Sequence, residues 1–432
     1  MEPNSLKYCG IDVSKTILVC AVIGDLEQQH RQFLPGQSSD LGIVGNEPMI
    51  TKSFDNSWSG VISMTRWMQS VGVSLTVMES TGIYWYATFA ALETAGIKAI
   101  LANARHVKNV STHKSDLKDC VWLAVLLRAG FIIPSYVPAG LIKDLRETTR
   151  MRVAITKDNT RLKNRCHKIL DSVLVNLGMR TTFGKRGRDV LIRALKGNYN
   201  DLEAEQRCAF DSVSDIQRLM MVDLLTNIEF NEKRIEKYEA AIAILVKRLE
   251  EEKSDRDIML LVTVPGVGLV SAAALKAEIG TVERFSRGAK LASYAGLAPR
   301  LIQSGGSRKT GRIVRTSNSH LRTTMYMVAQ TCAIHGPEKL KEFHQRVRGK
   351  KGYKVATIAL ARKLLVIMWK MLKEQLTFEM ANKEGLIERK RRAMRGNLRR
   401  LKKLESKYGT EETFMAIQEV MQRKKQSAKS VA

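Results

Sequence analysis

The sequence predicts an α/β layer with a mixed sheet at the N-terminus, then a helical middle and a mostly α-helical C-terminal part. Three observations carry this. Up to about residue 120, short β-rich apolar runs alternate with segments of helical periodicity. From about 140 to 256 the strand signal vanishes. Beyond that, helical segments resume around a Pro-Gly turn and a basic Ser/Gly-rich loop.

The elements follow in order. Residues 7–24 form two β-rich runs around a polar Val-Ser-Lys turn, which reads as a hairpin and makes the sheet mixed. Residues 26–60 are rich in Gly, Ser and Asn and read as loop around one further strand. A helix at about 60–70, a strand VSLTVME at 73–79, a helix at 84–96 and a strand at 97–103 come next. The helix that holds SDLKD (115–119) closes this part. Between 221 and 249 the apolar positions Met221, Leu224, Ile228, Ile235, Tyr238, Ile242, Leu245 and Leu249 follow a heptad with one polar seam residue, Asn231. That pattern suits a coiled coil and hence dimerisation, although one amphipathic helix packed on its own domain has a similar stripe.

Residues 260–280 place PGVG between two helical segments, as in a helix-hairpin-helix unit. Gly266 and Gly268 permit a tight turn whose free amides suit a phosphate. KLASYAGL reads as helix, and a loop follows with Arg308, Lys309, Arg312, Arg315 and, further on, Arg322. The stretch 337–432 is helical and basic; its block 389–403 holds nine Lys/Arg and no acid. The expected segments are 1–140, 141–256, 257–335 and 336–432.

Composition narrows the function. The 432 residues carry 71 Lys+Arg against 43 Asp+Glu, a net charge of +28, so a polyanion is the expected partner. No apolar run reaches the ~20 residues that span a bilayer, and the N-terminus lacks a signal-peptide pattern. Six scattered cysteines with no CxxC pair read as buried free thiols of a reducing compartment, and seven histidines without HxxxH or HExxH spacing argue against zinc.

Acids stand where chemistry would need them. Asp12 lies in an apolar strand and Glu79 ends another, and a charge there is costly unless paired or metal-bound. Asp116 and Asp119, at i and i+3, share one helix face. Four carboxylates converging on one sheet edge would select magnesium or manganese and suit metal-assisted phosphoryl transfer. Singly, Asp116 reads as a helix cap and Glu79 as a turn acid. The joint order of all four in a basic chain favours the metal site.

The motifs GIDVSK (Asp12), MESTGIYW (Glu79) and HKSDLKD (Asp116, Asp119) resemble the N-terminal domain of DEDD-type insertion-sequence transposases, the bridge-RNA-associated recombinases of the IS-one-ten family. VPGVGLVSAAALKAEIG, KLASYAGLAPR and SGGSRKTGRI are similar to that family's C-terminal domain, so the likeness covers roughly residues 7–330. It implies a RuvC-like, RNase H-fold domain with the tetrad Asp12, Glu79, Asp116 and Asp119, and Mg2+ or Mn2+ as cofactor. It also implies a serine nucleophile that forms a covalent DNA–serine link, for which Ser304 is the counterpart and Ser307 the reserve, with Ser293 helical and packed. The long polar stretch between Asp12 and Glu79 departs from the family pattern. The implied partners are donor and target DNA, a non-coding bridge RNA and further copies of the chain, dimer or tetramer, in a bacterial or archaeal cytosol. Two other classes compete: a RuvC-like metal-dependent junction nuclease that uses water, and a non-catalytic nucleic-acid-binding protein.

Overall fold

The computed structural model describes residues 6–24, 26, 49–80, 82–102, 116–175, 182–200, 202–304, 307–313 and 317–381. The chain forms two compact units, Met1–Val137 and Pro138–Ala432.

In the first unit, β1 (Tyr8–Val13), β2 (Ile17–Ile23), β3 (Met49–Asp55), β4 (Leu75–Glu79) and β5 (Lys98–Ala102) form one sheet of order β3-β2-β1-β4-β5. The expected hairpin is β1–β2, and β3 is the further strand beyond the polar stretch; both contacts of β2 are antiparallel. Ser14 closes the turn: its Oγ accepts from the Ile17 N–H at 3.0 Å. Strands β4 and β5 run parallel, β4 alongside β1. Alternation assigns the faces. Cys9, Ile11, Cys20 and Met78 point to the core beneath α1 (Trp58–Val71) and α2 (Trp85–Thr94). Tyr8, Ala21 and Val77 point to the other core, with Cys120 and Ala124 of α3 (Asp116–Arg128).

The second unit is built on two long helices, α4 (Gly140–Ser172) and, after α5 (Lys185–Leu195) and α6 (Ala204–Asp211), α7 (Asp215–Lys253). Cross-links run antiparallel: Arg152 Nε donates to Glu239 Oε1 at 2.8 Å, and Lys163 Nζ to Glu232 Oε1 at 3.2 Å. At one end Cys166, Leu170, Met221, Leu224 and Ile228 form a core with α5 and α6. At the other, Leu145, Ile242, Val246 and Leu249 join the main core of the unit. The heptad seam is therefore filled in cis. A stripe shows that a helix needs a partner, not that the partner belongs to another chain. Met221, Leu224, Ile228, Ile242 and Leu249 of the seam are buried within the chain and Ile235, Tyr238 and Leu245 are half-buried, so the stripe by itself does not call for a second chain. Asn231 is buried in the seam and its Oδ1 accepts from Arg234 Nη1 at 3.1 Å.

The main core is gathered around α8 (Asp257–Val262), α9 (Leu269–Ile279), α10 (Gly288–Tyr294), α11 (Ser319–His335), α12 (Glu338–Lys351) and α13 (Tyr353–Glu374). Helix α9 is buried over most of its circumference, including two charged residues, Lys276 and Glu278. Each has partners: Lys276 Nζ sits 2.6 Å from both Asp255 and Asp257. The segment read as a Ser/Gly-rich loop is instead a hairpin, β6 (Pro299–Ser304) and β7 (Ser307–Ile313), paired from Ser304↔Ser307 to Pro299↔Ile313. Main-chain pairing needs no apolar alternation, and Gly305-Gly306 between the strands is the sequence signal for a two-residue hairpin loop. The basic block 389–403 lies outside the described residues. Cysteines 9, 20, 120, 166 and 332 are buried free thiols, whereas Cys208 is exposed. Among the described residues no helix is long and apolar enough to cross a membrane.

Candidate active site

Strands β1 and β4 pair from Tyr8↔Leu75 to Ile11↔Met78, so the next residues on each, Asp12 and Glu79, stand at one level. They share the faces of Tyr8 and Val77, four and two residues back respectively, which is the side covered by α3. Both are half-buried at the carboxyl ends of adjacent parallel strands, where open α/β sheets bind ligands.

Helix α3 begins at Asp116, and Asp119 lies half-buried in its first turn. It crosses β1 at Gly10 in direct backbone contact: a Cβ there would stand 1.8 Å from the Cys120 carbonyl oxygen and 2.9 Å from the Ala124 nitrogen. Only glycine permits this approach. The contact fixes the turn bearing Asp119 over the strand that carries Asp12. Burial, then the neighbouring Cys20 and Asp12, hold the Cys120 thiol well above its ordinary range. The side chain of Asp116 lies outside the described residues, and among those described no three His, Cys, Asp or Glu groups form a metal-holding cluster. Asp12, Glu79 and Asp119 offer carboxylate oxygens, the donor type that fits Mg2+ or Mn2+.

Ser304 ends β6 and pairs with Ser307, the start of β7. The hairpin is tied at its roots. Asn318, which caps α11 through Oδ1 and the Leu321 N–H at 3.0 Å, donates its own N–H to the Tyr294 carbonyl at 2.9 Å. Its Nδ2 donates to Glu278 Oε2 at 2.7 Å and to the Tyr294 hydroxyl at 3.3 Å. Arg150 clamps the same carboxylate with two bonds, at 2.7 and 2.9 Å. Burial raises the Glu278 carboxyl, but the hydrogen bonds from Arg150 and Asn318 and the charges of Arg150 and Arg146 outweigh it and hold it low. The segments entering and leaving the serine hairpin thus meet at Asn318, which the buried Glu278 carboxylate holds in place. Sequence reasoning missed Glu278, Arg150 and Asn318; the N-cap Asn before an apolar helix was the one available signal.

Arg308 and Lys309 lie on β7 opposite Gln303 and Ile302, and Arg312 lies further along it; their side chains, and Arg315 altogether, are outside the described residues. Arg322 Nη1 donates to Ser317 Oγ at 2.8 Å. Gly266 takes φ +84° in the α8–α9 turn, where a Cβ would meet the Thr331 side chain at 3.1 Å, and Gly268 leads into α9. Ser293 is helical as expected but exposed.

Three antiparallel strands continued by two parallel ones, in the order β3-β2-β1-β4-β5, form an RNase H-like sheet, with acids near the ends of β1 and β4 and on the helix above. Residues 44–175 match a family model for DEDD transposases of the IS110 type, described as "Transposase". Residues 259–345 match the "Transposase IS116/IS110/IS902 family". The chain belongs to this family of insertion-sequence transposases, DNA transposases and recombinases. It is 24% identical to the transposase for insertion sequence element IS1111A of Coxiella burnetii, over 72% of this chain and 80% of that protein. It is 35% identical to a pilin gene-inverting protein of Moraxella bovis, over 28% of this chain and 38% of that protein. A Thermus thermophilus RuvC structure aligns over its full length with 30% of this chain, at 14% identity and a TM-score of 0.21.

Proposed function

We propose that this transposase cuts and rejoins DNA with a metal-binding tetrad, Asp12, Glu79, Asp116 and Asp119, and a serine nucleophile, Ser304. The observation that carries the reading is the common level and common face of Asp12 and Glu79 beneath the helix of Asp119. These carboxylates would hold Mg2+, or Mn2+, which when bound neutralises charge on the scissile phosphate. Ser304 Oγ bonds to phosphorus, the phosphorus–oxygen bond to the leaving sugar breaks, and the hydroxyl proton passes to a neighbouring base. Arg308, Lys309, Arg312 and Arg315 hold flanking phosphates, arginine bidentately, and the Gly266–Gly268 turn and Arg322 add further phosphate contacts. The partners are donor and target DNA, a bridge RNA that directs them, and further copies of the chain.

The test is Ser304→Ala, assayed in Mg2+ on a denaturing gel for cleaved DNA and for a protein–DNA adduct. Loss of both is expected. Retained cleavage without an adduct would show water as the nucleophile, as in a junction nuclease. An adduct that survives in Ser304→Ala and disappears in Ser307→Ala would move the role to Ser307.

A further inference from the structure

We infer that the groove between α12 and α13 binds single-stranded DNA, the unpaired flank of the strand cut at the serine hairpin; this rests on the proposed function. The open groove has a volume of about 1820 Å³, beyond the roughly 300–1,000 Å³ of small-molecule sites, which suits an extended ligand. Its described lining holds eight Lys and Arg side chains against one acid, Glu342. Arg346, Lys350 and Lys351 stand on one wall, and Lys354, Arg362 and Lys363 on the other.

Between these cations runs an apolar floor. Leu340, Phe343 and Val347 recur at helical spacing on α12, as do Val355, Ile358 and Val366 on α13. Val355 is 49% exposed and Val366 38%, and Phe343, Val347 and Ile358 are half-buried, while Leu340 lies beneath them in the core, so part of the floor is open to a ligand. Lys363 Nζ lies 4.5 Å from the centre of the Phe343 ring, and Arg346 5.7 Å. Cationic walls over an apolar and aromatic floor match a strand whose bases are turned out: phosphates take the walls and bases the floor. A duplex keeps its bases paired and has no use for the floor. The groove reaches the foot of the serine hairpin, since Pro299, Gly311 and Ile313 also line it. That continuity selects the DNA strand bearing the scissile phosphate over any other single strand.

The experiment uses the full chain with Asp119→Asn, so that binding is read without cleavage. Fluorescence anisotropy measures a labelled single strand of about 20 nucleotides, its duplex and the RNA of the same sequence, over a salt series. Arg346→Glu/Lys350→Glu/Arg362→Glu should weaken single-strand binding at least tenfold. It should also lower the salt slope by about 2, at ~0.7 per phosphate contact, while the duplex loses less. A triple of equal charge change on α7, Lys233→Glu/Lys237→Glu/Lys247→Glu, should cost no more than twofold. Val355→Asp should weaken the single strand and spare the duplex. Equal losses in both triples, or for strand and duplex alike, would overturn the inference, as would a tenfold preference for RNA. Should the variants fold poorly, an iodouracil-substituted strand photo-crosslinked to the chain with its groove intact should label peptides from 339–367; labelling only elsewhere overturns it. A groove that fails while the Ser304 adduct still forms leaves the proposed chemistry standing, and loss of the adduct in itself leaves these binding results readable.

Discussion

Replacing Gly10 with alanine presses a methyl group onto the backbone of α3. The new Cβ would lie 1.8 Å from the Cys120 oxygen, and α3 has to retreat by about 1.2 Å before that contact reaches 3.0 Å. Such overpacking typically costs about 1–3 kcal/mol, a melting-point fall of roughly 4–12 °C in a domain of this size. With Asp119 in its proposed role as a metal ligand, the catalytic cost is larger. Asp119 rides on the displaced turn, and a ~1 Å misplacement of a catalytic group can reduce rate about 100-fold. Differential scanning fluorimetry and Mg2+-dependent cleavage on one preparation, well below melting, would measure both. The comparator is Gly349→Ala on α12, where a Cβ meets nothing within 4 Å and a gain of up to ~1 kcal/mol is expected. Gly10→Ala with parental melting and parental cleavage would refute the claim that α3 is seated by this contact. An activity loss that only tracks the unfolded fraction would refute its link to Asp119.

Other outcomes follow from the buried charges and the seam. Glu278→Ala strips Arg150 and Asn318 of their acceptor and should cost about 3–5 kcal/mol, read by thermal melting. Because the folded carboxyl is held low, its contribution is full above the unfolded value near ~4.3 and fades as pH falls through the folded value; Glu278→Gln should remove that acid-side slope from Tm against pH. For Lys276 the sign reverses: burial lowers its pKa, but Asp257 and Asp255 more than restore it. Its stability is therefore complete below the unfolded value near ~10.4 and declines as pH rises through the folded one, a slope that Lys276→Met should lack in alkaline melts. Ile242→Asp places a carboxylate in a fully buried site and should abolish cooperative melting of the second unit, at ~4 kcal/mol or more. Light scattering that shows a folded monomer instead would restore the seam as a surface between chains.

Local order was the legible part. VSLTVME became Leu75–Glu79, the helix over 84–96 became Trp85–Thr94, and the hairpin of 7–24 formed around Ser14, because each carries its periodicity and turn signal within a few residues. The level shared by Asp12 and Glu79 needed β1 and β4 to pair across 67 positions, which only the sheet order reveals. The β6–β7 hairpin was illegible for a different reason: SRKTGRI has no apolar face, so its strand is held by main-chain bonds that leave little mark on composition. Glu278 and Arg150 are 128 residues apart, and neither spacing nor propensity pairs them. In the heptad the stripe was plain and the owner of the opposing stripe was not.

The antiparallel course of α4 and α7 has a consequence for how such a protein can change over time. The chain leaves for the far core along one helix and returns along the other, so departure and return lie side by side wherever the pair is cut across, as at Arg152–Glu239 or Lys163–Glu232. Everything beyond such a cut, with its own core of Cys166, Leu170, Leu191 and Phe210, is a cassette. Lengthening both helices by whole turns, at about 5.4 Å each, or exchanging the cassette outright, leaves the acid-bearing sheet and the serine hairpin with the same neighbours. A lineage can thus vary the reach of this arm as an adjustable part while the cutting chemistry stays fixed, and an engineer can insert a foreign domain there on the same grounds.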